Sequence, residues 1–521
     1  MNGPRPPAPA PGALRRERVA APRDAAGRID LDACVVALGP VDLLETATGD
    51  GWSYLVPHTG WRLTDDGRRT ILYGPEGRRR VLGTDPFAAL EGLSRLLGAS
   101  PTSGQGARGT GGTAPLLTGG LVGALAYDLG RRTERLPVRA RDDRGRAHLD
   151  LRVVEVVCAV PPDRAHLELL ATTLPVELAT TTPPVHRRDQ LAAATAARLR
   201  AVTAAGRVDH PELAAVPPAP QVAWTSLPRD AHLAAVERIL AAIAAGELFQ
   251  ANLAQRLSAR WRGDVHALYR ALRAASPAPF GAALPDAGVA SVSPETFLAV
   301  DGDHVVTRPI KGTRPRAGDA ALDAALADDL ATATKDRAEN VMVVDLERND
   351  LGRVCRPGSV TVPELTRVEG HPTVWHLVST VTGTLRPGTG YGELLRATFP
   401  SGSITGAPKI AAMGTIERLE GVRRGMYCGA VGFIAPGHAR LSVAIRTAVL
   451  HPRGIVDHGA GGGIVADSDP ETEHAETLDK AAAFLRAVAA VRVDAAADAA
   501  TGTPGHSPGR APVTTPSGGP R

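Results

Sequence analysis

HGAGGGIVADSDPETEHAETLDKA (458–481) joins a glycine-rich run, with four glycines in the five positions 459–463, to a helix that carries its own start signals. Asp469 suits the N-cap and Pro470 the first helical position. Glu473 and Glu476 then share a helix face, and Lys480 sits one turn beyond Glu476. Glycines at 459 and 461–463 let backbone N–H groups approach an anion closely, with a helix N-terminus nearby. No G-K-[ST] follows, so the run is not a nucleotide P-loop and a carboxylate is the better guest. An ordinary glycine-rich turn fits the same residues equally well.

A second acidic helix is expected at KDRAENVMVVDLERND (335–350), where Asp336 and Glu339 share a face with Val343. Like charges at this spacing repel by about 0.2–0.5 kcal/mol in an isolated helix. A cation between the two helices would turn that repulsion into attraction. Oxygen donors without His or Cys partners point to Mg²⁺ rather than zinc. Two solvated acidic faces are the competing reading. In RPIKGTRPR (308–316), Lys311 is expected between a short strand and a turn. Three flanking arginines would lower the pKa of its ammonium and ready it as a nucleophile. TFPSGSITGAPK (398–409) is a loop of small hydroxyl residues that leads into a helix from Ile410. His376 follows a strand-like alternation, where a core hydrogen-bonding role is as natural as a catalytic one. Arg446 interrupts an apolar strand, and a buried arginine needs an anion.

Around these motifs the chain has 521 residues, 59 Lys+Arg against 55 Asp+Glu, and a formal charge of +4, which is no electrostatic footprint for nucleic acid. A hydrophobic fraction of 43% supports a large core, and aromatics at 3% are too sparse for base-stacking platforms. No apolar run reaches 18 residues, so no membrane span is expected, and the first residues do not read as a signal peptide. Cys34, Cys158, Cys355 and Cys428 are far apart, which argues against a disulfide framework or zinc site and for reduced thiols in a cytoplasm. Residues 1–28 and 497–521 read as disordered tails, 101–115 as a flexible loop, and 211–227 as a linker. Residues 29–210 read as a supporting region with strands at 34–38, 51–56, 152–160 and 166–171 and a helix over 187–202. Residues 228–491 read as the catalytic region, opening on a helix over 229–245 that Gly246 stops.

In series, SPETF (293–297), RPIKGTRPR (308–316), KDRAENVMVVDLERNDLGRVC (335–355), FPSGSITGAPK (399–409), RGMYCGAVGF (424–433), AIRTA (444–448) and GGGIVADSDPETEHAETLDKA (461–481) closely resemble the chorismate-utilising enzymes. The likeness is dense over 228–490 and loose over 30–175. It implies an α/β (α+β) fold of two packed β-sheets flanked by helices, with the substrate between them and Mg²⁺ as cofactor. It also implies conversion of chorismate to anthranilate, aminodeoxychorismate, isochorismate or salicylate. Lys311 stands where the anthranilate-forming branch typically has Ala, and FPSGSITGAPK is closer to the aminodeoxychorismate-forming branch. Gln250 replaces the water-activating Lys of the isochorismate and salicylate branches. FPSGS in place of FPGGS and Ala317 in place of Gly are departures that remove no functional group.

By this resemblance Glu339 and Glu476 are the Mg²⁺ ligands, with Glu473 and Asp336 as nearby carboxylates. Glu295 is the general acid for the departing 4-hydroxyl, Lys311 the nucleophile at ring C2, and His376 lies near the ring carboxylate. Thr405, Tyr427, Arg446, Gly461, Gly462, Gly463 and Lys480 would bind the enolpyruvyl side chain and the carboxylates. Ammonia would come from glutamine through a separate amidotransferase subunit (component II), because no G-x-C-x-G elbow surrounds any cysteine. The product would serve p-aminobenzoate and folate synthesis. Leu44, Glu45 and Thr46 resemble an element that binds tryptophan in the anthranilate-forming branch, with Thr46 replacing Ser. Anthranilate synthesis and a non-catalytic, tryptophan-sensing role are the alternatives.

Overall fold

The valine-rich stretch expected as one strand over 152–160 is two. Leu149–Val154 and Val156–Val160 lie in different sheets, and Glu155 marks the crossing, where its carboxylate accepts from Arg187 at 2.6 Å. Every residue of both strands is buried, as such an apolar run requires. The computed structural model describes residues 13–48, 51–101, 114–178, 184–206 and 224–489. The expected C-terminal tail, most of the 101–115 loop and the 211–223 part of the linker lie outside these residues.

Two 12-stranded sheets, whose strand pairings are antiparallel, organise the described chain. In each sheet a block of strands from 29–210 adjoins a block from 228–491. The first sheet runs through Val156–Val160, Ser53–Pro57, Val41–Glu45, Phe280–Leu284, Val289–Ser293, Thr447–His451, Ile455–Ile464 and Gln250–Arg260. The second runs through Ile310–Pro315, Val374–Thr384, His304–Arg308, Thr296–Asp301, His438–Val443, Ala430–Ala435 and Gly120–Leu125. Valines and leucines from the facing strands fill a core between the sheets, with Val56, Val122, Val157 and Val289 fully buried.

Consecutive strands change sheet at several points. Besides the crossing at Glu155, Val289–Ser293 passes to Thr296–Asp301 through Pro294 and Glu295, and His438–Val443 passes to Thr447–His451 through Ala444–Arg446. The last two corners are tied together. Val443 N–H donates to the Glu295 carbonyl at 3.0 Å, Val292 N–H to the Arg446 carbonyl at 3.1 Å, and Ser293 Oγ to the Val443 carbonyl at 2.6 Å.

Several expectations need correction. Residues 14–19, assigned to a tail, form an edge strand on Leu167–Thr172, with Arg16 paired to Glu168 at 2.6 Å. Residues 34–38, expected as a strand, belong to the helix Leu31–Leu38. Asp30 caps it by accepting from Ala33 N–H, and Leu31, Cys34, Val35 and Leu38 are buried at helical spacing. The glycine run 459–463 is no turn but part of the strand Ile455–Ile464. The helix Arg229–Ala244 and the αL residue Gly246 (φ 75°) are as expected. Among the described residues no helix is long and apolar enough to cross a membrane.

Candidate active site

The two tied corners carry the acid and the cation expected from sequence. Glu295 is 3% exposed, and its Oε1 has no hydrogen-bond partner. Burial pushes its pKa up to about 7, against the pull of a hydrogen bond from Ser403 and the charge of Lys311. Arg446 is held in the left-handed region (φ 51°) and donates to the Lys480 carbonyl. No carboxylate pairs with it among the described residues, and burial pushes its pKa down, so the guanidinium is a buried cation in want of an anion. His376 lies 3.0 Å from Thr313 Oγ1 through Nδ1, and burial lowers its pKa to about 3, so the ring is neutral.

Lys311 corrects the sequence reading twice. It lies within the strand Ile310–Pro315 rather than at a turn, with its ammonium 2.6 Å from Glu339 Oε1. The flanking arginines do not depress its pKa, because each has its own carboxylate: Arg308 pairs with Glu369, Arg314 with Asp329 and Arg316 with Asp323. Burial works against the ammonium, but the charges of Glu339, Glu295 and Glu476 outweigh it and its pKa is raised. Gln250 Nε2 donates to the same Glu339 oxygen.

The acidic helices are Thr334–Gly352 and Pro470–Ala489. Asp469 caps the second by accepting from Thr472 N–H at 2.9 Å, as expected. Glu476 pairs with Lys480 at 2.6 Å, and Glu473 accepts from Ser468 at 2.6 Å and lies 3.3 Å from Lys335. Asp336 stands apart from these carboxylates in its pairing: Arg314 takes it up at 3.2 Å, beside Gly312. The strand Ile455–Ile464 lets the other carboxylates close in. A Cβ at Gly462 would fall 3.0 Å from Glu473 Oε2 and 3.9 Å from Glu476 Oε1, and one at Gly463 would fall 2.2 Å from Glu339 Oε1 and Gln250 Nε2.

Among the described residues no group of three or more His, Cys, Asp and Glu side chains forms a ready metal cage. Mg²⁺ does not require one, since one or two carboxylates with substrate oxygens and water commonly hold it. Glu339 and Glu476, hard oxygen donors that both act on Lys311, suit that arrangement. Gly463→Ala is expected to displace Glu339 and Gln250 and to lower turnover by about 100-fold. Steady-state rates on a variant with unchanged circular dichroism would check this.

The remaining binding candidates are distributed as follows. The strand Thr447–His451 pairs with Ile455–Ile464 only as far as His458, so beyond it alternate N–H groups of Gly461–Gly463 are not taken up on that edge. Lys480 Nζ donates to the Gly461 carbonyl at 2.9 Å. The Tyr427 ring packs on Gly459, where a Cβ would meet its Cγ at 2.2 Å. Thr405 is fully buried and spends its hydroxyl on the carbonyls of Ser401 and Gly402. Leu44, Glu45 and Thr46 line a separate cavity of about 460 Å³ between the sheets, with Trp52, Phe280, Phe433 and Arg440. Glu45 is occupied there by Arg164, Arg273 and Tyr269, and Thr46 Oγ1 donates to the Trp52 carbonyl at 3.4 Å.

Sequence reading missed Glu347, Ser401 and Ser403. Glu347 is fully buried beside Glu295 and accepts from Ser401 Oγ and Gly402 N–H, each at 2.8 Å. The signal was present, since Glu347 lies eight residues after Glu339, on nearly the same helix face.

A family model described as chorismate binding enzyme matches residues 62–486. Aminodeoxychorismate synthase component 1 of Klebsiella aerogenes is 41% identical over 366 residues, covering 70% of this chain and 75% of that protein. Anthranilate synthase component 1 of Thermus thermophilus is 41% identical over 382 residues, covering 72% and 78%. The crystal structure of anthranilate synthase component I from Streptococcus pneumoniae TIGR4 superposes with a TM-score of 0.68 at 28% identity, over 84% of this chain and 92% of that one.

Proposed function

The chain belongs to the chorismate binding enzyme family, and from that premise we propose that it is the component of aminodeoxychorismate synthase that converts chorismate and ammonia to 4-amino-4-deoxychorismate. Overall identity does not choose between this and anthranilate synthesis, since relatives of both kinds stand at 41%. The observation that carries the choice is Lys311, a buried primary amine whose charge acts on Glu295, an acid with one oxygen, Oε1, left without a partner. A non-covalent addition of ammonia has no use for it.

In this reading Glu295 donates its proton to the 4-hydroxyl, which departs as water. Lys311, which rests as an ammonium on Glu339, must lose a proton before its nitrogen can bond to C2. Ammonia then bonds to C4, the C2–N bond breaks, and its electron pair returns to the lysine. Arg446 pairs with a substrate carboxylate, and neutral His376 donates to or accepts from the ring carboxylate without adding charge. Glu339 and Glu476, with Glu473 nearby, would hold Mg²⁺, which would supply positive charge for the ring carboxylate. Ammonia reaches the site free or from glutamine through a separate amidotransferase subunit, and the product leads to p-aminobenzoate and folate. The four cysteines are free and buried, which fits a reducing cytoplasm.

Mass analysis of products from chorismate, MgCl₂ and ammonium tests the reading, with and without a lyase that releases p-aminobenzoate. Fluorescent anthranilate as the main product overturns it. Arg446→Gln is expected to raise KM for chorismate by roughly 10- to 100-fold, the worth of a charge-assisted hydrogen bond, with a smaller change in kcat. Equal KM values would remove Arg446 from substrate binding. Turnover is expected to be indifferent to millimolar tryptophan, because Glu45 and the Thr46 hydroxyl are already engaged. Calorimetric binding of tryptophan without chorismate turnover would favour a sensor instead.

A further inference from the structure

Arg424 and Glu420 form a buried ion pair to which the proposed reaction gives no part. Their side chains are 2% and 5% exposed, with Arg424 Nη2 2.6 Å from Glu420 Oε1 and Nε 2.9 Å from Oε2. The guanidinium also donates to two main-chain carbonyls, Ile404 at 2.9 Å and Asn252 at 2.8 Å. These carbonyls flank a seam, because Asn252 N–H donates to the Thr405 carbonyl at 2.9 Å. Glu420 Oε1 accepts from Ala254 N–H at 2.9 Å, so the pair fastens the loop 398–409 to the strand Gln250–Arg260. Two aromatic rings complete the surroundings. Arg424 Cζ lies 4.7 Å from the Tyr127 ring centroid and 5.8 Å from that of Tyr427, within cation–π range. Gly425, in the left-handed region (φ 59°), turns the chain so that Tyr427 N–H reaches back to the Arg424 carbonyl at 3.2 Å. The same Tyr427 ring packs on Gly459 of the glycine-rich strand. Cys428 N–H donates to the Ala444 carbonyl and Ala444 N–H to the Gly429 carbonyl, each at 2.9 Å, which joins this segment to the corner that carries Arg446.

We propose that Arg424 is a positioning residue for substrate binding: with Glu420 it fixes the Tyr427 ring against the glycine-rich strand and so aims the phenol at the carboxylate pocket of Arg446. An arginine suits the place. Its planar fork serves Glu420 and two carbonyls at once while its face lies against the rings, which a lysine's single ammonium cannot match. Apolar residues of similar size would serve stability as well as a buried ion pair commonly does, so the value of this one lies in what it aims. Tyr127 comes from the 29–210 region, and its N–H donates to the Gly425 carbonyl at 2.7 Å. The first half of the chain thereby has a share in shaping the pocket. The inference rests on the reading of Tyr427 as a substrate contact.

The test is a double-mutant cycle on the full chain with chorismate, MgCl₂ and ammonium, read as the rate of chorismate consumption in Arg424→Lys, Tyr427→Phe and the double variant. Tyr427→Phe is expected to raise KM for chorismate by roughly 10-fold, the low end for a hydrogen bond to a charged group. Arg424→Lys should raise it by roughly 5-fold through displacement of the ring, with the smaller part of the effect in kcat. Once the hydroxyl is gone, Arg424 has nothing left to aim. The double variant should therefore match Tyr427→Phe within about twofold, well short of the ~50-fold that independent effects would give. A KM near that product overturns the inference. So does an Arg424→Lys enzyme with a lower urea midpoint and the KM of wild type, since the pair would then serve stability alone. If the lysine variant fails to fold, Glu420→Gln takes its place in the same cycle. The amide accepts from Arg424 at one oxygen and sets an N–H against its Nε, so the guanidinium shifts while the volume stays filled. Wild-type KM in Tyr427→Phe means instead that Tyr427 makes no substrate contact, and the inference falls with that reading.

Discussion

Replacing Lys311 with alanine is expected to lower formation of 4-amino-4-deoxychorismate by at least about 10³-fold, the scale on which loss of a covalent nucleophile is felt. The lysine is fixed in its strand, its amine lies 2.6 Å from Glu339, and the charges of Glu295 and Glu476 also act on it. Removing it leaves Gln250 as the remaining donor to Glu339 Oε1. Some stability should be lost as well, because truncating one partner of a largely buried ion pair strands the other. Lys311→Met, which keeps most of the volume, separates chemistry from packing: it should recover stability and not turnover. Product quantified by mass spectrometry decides the matter, and an alanine variant with near wild-type output would mean that ammonia adds without a covalent step.

The second large effect is expected at Glu295. Glu295→Gln should lower kcat by about 10²–10⁴-fold, since the amide cannot protonate the leaving hydroxyl. It should also make the protein more stable, in a pH-dependent way. The carboxyl titrates at about 7 when folded against 4.5 as its ordinary value. Below about 4.5 it is neutral in both states and costs nothing through ionisation. Between 4.5 and 7 the unfolded chain gives up the proton first, so wild-type stability falls as pH rises, and above 7 the deficit is constant. That deficit is on the order of 3 kcal/mol. Urea melts should therefore show the glutamine variant clearly ahead at pH 8 and level with wild type at pH 4. Equal stability at both values would mean that Glu295 is not a strained, proton-holding carboxyl.

Much of the site was legible because helical spacing and caps are local. Asp469 and Pro470 announce their helix, and Glu473 and Glu476 follow at the expected interval. Arg446 was legible as a cation inside an apolar run, and the structure leaves it without a carboxylate partner among the described residues. What failed depended on contacts distant in sequence. The arginines around Lys311 read as a source of positive potential, but Glu369, Asp329 and Asp323 neutralise them from elsewhere in the chain, and Glu339 reverses the expected shift. A glycine run such as 459–463 reads as a turn unless one knows that Tyr427, Glu339 and Glu473 press against it from other elements. The helix at 31–38 was missed because a short apolar run has no decisive period, although Asp30 in front of it was the available clue.

Glu295 and Arg446 occupy neighbouring places where the backbone leaves one layer for the other, and each main-chain carbonyl accepts from the opposite corner, Glu295 from Val443 N–H and Arg446 from Val292 N–H. Neither layer can slide along the other without parting these residues, so the scaffold acts as a single rigid jig for the reacting ring. On the proposed reading, new chemistry on such a jig comes from exchanging the tips of side chains, as at positions 250 and 311, because re-laying the strands would dismantle the tool.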